Sequence, residues 1–113
     1  MPYVQVIIAH KLEEQQKIAL KESLGALISL IPGKTEQGLM ISIEDGATMY
    51  FRGTAENCAY VTVNLFLSTF AEKKRDFAQA FSKALSEIAG IEPRNLYMTF
   101  AEYSNWFSNG DLK

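Results

Sequence analysis

The chain of 113 residues is predicted to be an α/β (α+β) protein in which two duplicated β-α-β units form a four-stranded sheet with two helices on one face. Three observations predict this. Sliding the chain along itself by 57 residues, Tyr3 onto Tyr60, aligns residues 3–45 with 60–102 without a gap and with eight identities, among them Tyr3/Tyr60, Val4/Val61, Val6/Val63 and Gly33/Gly90, the mark of a repeated supersecondary unit. Within each copy an apolar stripe recurs at i, i+4, i+7, i+8 and i+11: Leu20, Leu24, Leu27, Ile28 and Ile31 fall opposite Phe77, Phe81, Ala84, Leu85 and Ile88, the spacing of a helix that buries one face. Each stripe is flanked by runs of alternating β-branched residues, the pattern of half-buried strands.

The first strand, Tyr3–Ile8, starts after Pro2, a position where a sheet tolerates proline. The first helix follows, and Gly33 just beyond its stripe is read as a left-handed helix cap, as Gly90 is for the second helix. The second strand carries Leu39, Ile41 and Ile43. Met49-Tyr50-Phe51 reads as a short extra strand leading into a glycine-containing polar loop. The third strand opens at Cys58-Ala59 and carries Val61, Val63 and Leu65. The second helix and a fourth strand with Leu96, Met98 and Phe100 complete the repeat, and Tyr103–Phe107 reads as a further short strand or hairpin. A strand joined through a helix to a like strand forms a parallel pair, so each half is a parallel β-α-β unit. Residues 1–113 make one domain.

Strand parity sends Val4, Val6, Ile8, Val61, Val63, Leu65 and their partners toward the helices. The other face is left to Tyr3, Ile7, Met40, Tyr60, Phe66 and Tyr97 among polar residues. No segment is left over to cover it, and an apolar surface of that extent marks an interface. A compact oligomer is expected, with Trp106 and Phe107 among its contacts.

Composition excludes several classes. With 48% hydrophobic and 21% charged residues the chain is ordinary globular material, and no apolar run approaches the roughly 20 residues of a membrane helix. A formal charge of −2 and a pI near 5.4 leave no excess of Lys and Arg for phosphates, so nucleic acid is not an expected partner. The single cysteine, Cys58, excludes an internal disulfide and reads as a small buried residue. No signal-peptide pattern opens the chain, and a cytoplasmic location is expected. His10 is the only histidine, no cluster of metal-ligating residues accompanies it, and Gly33-Lys34 lacks the second glycine of a phosphate loop. Neither metal nor cofactor is expected.

Pro2 after the initiator Met, the duplicated β-α-β frame, Gly33-Lys34, Cys58-Ala59 entering the third strand and Pro93-Arg94-Asn95-Leu96-Tyr97 entering the fourth resemble the tautomerase superfamily. The likeness is to its macrophage migration inhibitory factor branch and covers essentially the whole chain. It implies a homotrimer with an amino-terminal proline as general base at the subunit interface, interconverting keto and enol forms of small 2-oxo acids such as phenylpyruvate. It further implies that Lys34 holds the substrate carboxylate, that Tyr97 reaches the pocket from a neighbouring subunit, and that Phe66 takes the place of an aliphatic pocket wall. Arg52, in the linking loop, is a candidate second carboxylate contact, and Trp106 a candidate pocket residue. Thr99 and Val61 stand where the cytokine-like members carry an asparagine and a second cysteine, so a cytokine or redox role gains no support.

The residues themselves leave room for these roles, the alternatives being a strand-opening proline at Pro2 and a cation near a helix C-terminus at Lys34. Initiator methionine is usually removed before a small residue, leaving Pro2 with a free secondary amine. An α-amino group titrates near ~8, and an apolar setting lowers it further, which produces a base poised near neutrality. The repeat places Ala59 opposite Pro2 and Ile91 opposite Lys34, so the frame requires neither a proline nor a charge at those positions. The alternative is a non-catalytic trimeric ligand-binding or scaffold protein of the same fold. A third reading is a ferredoxin-like binding module without pocket chemistry.

Overall fold

The computed structural model describes residues 1–113. Its strands and helices are β1 (Pro2–Ile8), α1 (Glu14–Leu27), β2 (Met40–Glu44), β3 (Ala59–Phe66), α2 (Ala71–Ala89), β4 (Leu96–Tyr103), β5 (Phe107–Ser108) and β6 (Asp111–Leu112). The first four strands form one sheet in the order β2-β1-β3-β4. Both β-α-β pairs are parallel, β1 with β2 and β3 with β4. The halves meet antiparallel through β1 and β3, Val4 opposite Val63 and Val6 opposite Val61. The duplicated frame is thus present, its copies related by an approximate twofold through the centre of the sheet.

Parity sorts the two faces as expected. Val4, Val6, Ile8, Val61, Val63 and Leu65 are wholly buried against Leu20, Leu24, Phe77, Phe81 and Leu85 in a single core cluster. Both helices therefore cover the same face. No helix is long and apolar enough to cross a membrane. On the other face the aromatic residues are tied into polar pairs: Tyr3 bonds the Ser42 hydroxyl at 2.7 Å and Tyr60 the Thr99 hydroxyl at 2.7 Å. Met40 and Tyr97 stay 66% and 65% exposed.

Three local expectations are corrected. Helix α1 stops at Leu27 and hands over to a single 3₁₀ turn, Ile28–Leu30, whereas α2 runs on to Ala89. Pro32 is the cause. Proline disfavours helical geometry in the residue before it, Ile31 is extended (φ −89°, ψ 118°), and the repeat has Ala89 where the first half has Pro32. Gly33 is consequently no helix cap. It takes φ 78° as the third residue of the turn Ile31-Pro32-Gly33-Lys34, closed by the Lys34 amide on the Ile31 carbonyl at 3.1 Å, where a type II turn wants Pro then Gly. Gly90 does cap α2, with φ 69°.

Met49-Tyr50-Phe51 is not a strand, and only an isolated bridge joins Phe51 to Thr54. Arg52 and Gly53 both take positive φ, 54° and 83°, which reverses the chain before a ladder can grow. The C-terminal hairpin lies further along than Tyr103–Phe107, since β4 itself runs to Tyr103 and β5 pairs with β6. Its turn is Asn109-Gly110 (φ 53° and 78°), the dipeptide most favoured in two-residue hairpins.

Candidate active site

The amino terminus of β1 lies against the end of β3. Pro2 is buried and stands opposite Leu65 in the antiparallel register, and the Phe66 amide donates to the Met1 carbonyl at 3.3 Å. The Pro32-Gly33 turn delivers Lys34 to the same place, where its Nζ donates to the Phe66 carbonyl at 3.0 Å. Lys34 is therefore held by a strand-end carbonyl and does not serve as a helix-end cation. The Met1 amine is pushed below the ordinary range of an α-amino group, first by desolvation and then by the charge and hydrogen bonding of Lys34. Here an amine is biased toward its neutral, proton-accepting form.

Beside this end a groove of about 480 Å³ is lined by Tyr3, Met40, Asn64, Tyr103, Asn105, Trp106 and Phe107. Trp106 packs edge-on to Tyr103 at 6.0 Å. Asn64 organises the groove, accepting from the Tyr103 hydroxyl at 3.1 Å and donating to the Tyr3 carbonyl at 3.2 Å. Asn64 and Tyr103 were not singled out in the sequence; the available signal was a strand-interior asparagine at an outward position of an apolar run.

Arg52 and Tyr97 lie elsewhere. Tyr97, the second residue of β4, stands opposite Tyr60, while Pro2 is opposite Leu65 on the same strand β3. Five residues of strand separate them, on the order of 17 Å at about 3.3 Å per residue. Phe51 stacks edge-on to Tyr97 with centroids 4.9 Å apart. The Arg52 guanidinium lies 4.1 Å from the centre of the Phe51 ring and donates to Asn95 Oδ1 at 2.9 Å and to the Arg94 carbonyl. Within the chain the six candidate residues thus form two groups, with Pro2, Lys34, Phe66 and Trp106 at one end of β3 and Arg52 with Tyr97 at the other. Asn95, buried at 6% exposure, was also missed, because its partner Arg52 is 43 residues away.

His10 belongs to neither group. It lines a separate depression of about 310 Å³ with Ala47–Tyr50 and Ala55–Asn57, and its Nδ1 is buried without a partner. Cys58 is buried, and burial, reinforced by Glu56, pushes its thiol up, away from a reactive thiolate. No three His, Cys, Asp or Glu side chains converge on a point where they could hold a metal ion.

A four-stranded sheet of two β-α-β copies joined antiparallel, with two helices on one face, is the fold of the tautomerase superfamily. Within it, the chain belongs to the macrophage migration inhibitory factor family, whose model matches residues 1–109. Among solved structures it is similar to Leishmania major MIF2, with a TM-score of 0.92 at 23% identity, covering 100% of this chain and 97% of that one. The macrophage migration inhibitory factor-like protein of Entamoeba histolytica gives 0.87 at 20% identity, covering 99% and 98%. Pt0534 inactivated by 2-oxo-3-pentynoate gives 0.81 at 17% identity, covering 96% and 93%. At these identities the likeness is one of fold. No curated protein matches the chain.

Proposed function

We propose that this protein is a keto–enol tautomerase of small 2-oxo acids, working as a homotrimer with the Pro2 nitrogen as general base once Met1 is removed. The observation that carries the reading is the convergence of the amino terminus, the Lys34 ammonium and the Phe66 carbonyl at one strand end, where the terminal amine is already held below its usual range. Removing Met1 moves the free amine one residue inward, to a buried proline.

In the reaction the C3–H bond of the substrate breaks, and its proton passes to the Pro2 nitrogen. The electron pair becomes the C2–C3 double bond while negative charge gathers on the former carbonyl oxygen, which then takes a proton. Lys34 holds the carboxylate and offsets the growing charge. The groove around Trp106 accepts an apolar substrate tail. Tyr97 is too far from Pro2 to serve it within one subunit, so a partner subunit supplies it, and the exposed sheet face and β4 edge form the contact. Pt0534 was inactivated by a 2-oxo acid, which agrees with this substrate class. The second reading, a trimeric ligand-binding or scaffold protein, keeps the pocket without the chemistry.

The test is keto–enol exchange across a panel of 2-oxo acids, with Met1 removal verified by mass spectrometry. Exchange by the Met1-free form alone supports the proposal. Equal rates from both forms would make Pro2 merely a strand-opening residue.

A further inference from the structure

The 3₁₀ turn Glu36–Gly38 leads into β2 and stands beside the amino terminus. It is pinned there. The Gly38 amide donates to the Thr35 carbonyl at 3.2 Å and the Leu39 amide to the Glu36 carbonyl at 3.1 Å, while the Glu36 carboxylate fills the space that a β-carbon on Gly25 of α1 would need. A β-carbon on Gly38 would face the amino terminus, 3.9 Å from the Met1 nitrogen and 4.0 Å from Met1 Cα and Pro2 Cδ.

Nothing in the turn calls for glycine at this position. Gly38 is not among the residues with positive φ, and the distances from its would-be β-carbon are ordinary van der Waals contacts. The second copy has a side chain there, since its equivalent turn is Pro93–Asn95 and the residue matching Gly38 is Asn95. What a side chain at position 38 would take away is space. Once Met1 is removed, its atoms vacate the volume next to the Pro2 nitrogen, and a carbon that passes its proton to that nitrogen must stand in the same volume. Side chains longer than a methyl group would reach into it. The extended Leu39 (φ −85°, ψ 123°) puts Gly38 on the same side of the chain as Met40, which lines the groove beside Trp106.

We propose that Gly38 sets the room available at the reacting carbon, so that 2-oxo acids branched at C3 are accepted as substrates. The inference rests on the tautomerase reading above, in which C3 gives its proton to the Pro2 nitrogen and so lies, with its substituents, against Gly38.

The experiment measures deuterium exchange at C3 by NMR with Met1-free protein. The two substrates are 2-oxobutanoate and 3-methyl-2-oxobutanoate, which differ by one methyl group on C3. The parent should exchange both. Gly38→Asn, which copies the second repeat, and Gly38→Leu, of similar size without polar atoms, should each lower kcat/KM for the branched acid about tenfold or more relative to the linear one, the usual effect of one methyl group in a tight site. Light scattering and thermal melting of both variants control for folding. A parent that exchanges only the linear acid, or a preference unchanged by either variant, overturns the inference and leaves the tautomerase reading standing. If neither acid exchanges, the tautomerase reading fails and the substrate claim with it, and the steric claim is judged on the Pro2 amine itself. In that case cyanate and phenyl isothiocyanate are compared as small and bulky amine reagents, followed by mass spectrometry of the amino-terminal peptide. Gly38→Leu slows the phenyl reagent and spares cyanate if Gly38 holds the space open, and equal effects on both reagents rule that out.

Discussion

Lys17 Nζ stands 3.5 Å from the Asp45 carboxylate, and the equivalent pair in the second repeat, Lys74 and Glu102, stands at 3.2 Å. The agreement extends to the backbone. Asp45 accepts the Leu12 amide at 2.8 Å and Glu102 the Thr69 amide at 2.7 Å, and Leu12 and Thr69 are themselves repeat-related. Each acid at the end of a crossover strand therefore ties down the segment leading into its helix.

These pairs set an acid limit on stability. Both carboxyls are held below their ordinary values, first by the backbone amide and further by the lysine. A carboxylate depressed in the folded state contributes stability that is complete above its unfolded value, near ~4, and is lost as pH falls through the folded one. Thermal melting followed below pH ~4 should show a declining Tm, and Asp45→Asn with Glu102→Gln should flatten that decline. A Tm–pH curve unchanged by the double substitution would remove the pairs from the account.

Catalysis should carry a different pH signature. A base works in its neutral form, so activity of the Met1-free protein should fall as pH drops through the Pro2 amine's value. That value should lie below the ordinary α-amino range, because desolvation and then Lys34 already lower the Met1 amine at this end of β1. Lys34→Ala should shift the acid limb upward. Pro2→Ala should lose roughly 10²–10⁴-fold, the usual contribution of a positioned general base. Rate profiles of the three proteins decide the matter, and coincident limbs in parent and Lys34→Ala would count against the assignment.

Lys34→Ala should also raise KM for 2-oxo carboxylates by about tenfold to a hundredfold, the effect of losing a charge-assisted hydrogen bond of roughly 1.5–3 kcal/mol. The assembly should be unaffected. An unchanged KM would leave Lys34 as a clasp on the Phe66 carbonyl and nothing more.

Light scattering at micromolar concentration should return three times the 12.7 kDa chain mass. Because Tyr97 and Pro2 sit at opposite ends of β3, dilution to monomer should abolish activity in step with the loss of mass. A fully active monomer would contradict the shared site.

Core stability should depend on α2. Phe81 is wholly buried and packs 6.2 Å from Phe77, so Phe81→Ala should lose about 3–5 kcal/mol, measured by denaturant unfolding. A loss below ~1 kcal/mol would mean that the helix layer is far more loosely packed than it looks.

Much of this was legible along the chain. The 57-residue repeat, the helical stripes and the strand parity established two β-α-β copies and named the buried residues, because periodicity records which face of each element avoids water and needs only near neighbours to be read. Pro2 and Lys34 stood out through the family resemblance, and their repeat equivalents, Ala59 and Ile91, show that the frame does without them. The tertiary structure decided how the elements meet. Only the antiparallel register of β1 against β3 brings Phe66 to the amino terminus and Lys34 to its carbonyl, and the same register sets Tyr97 at the far end from Pro2. Only the fold joins Arg52 to Asn95. Contacts across 32 and 43 residues depend on strand pairing and on turns such as Pro32-Gly33, and neither leaves a period in the sequence.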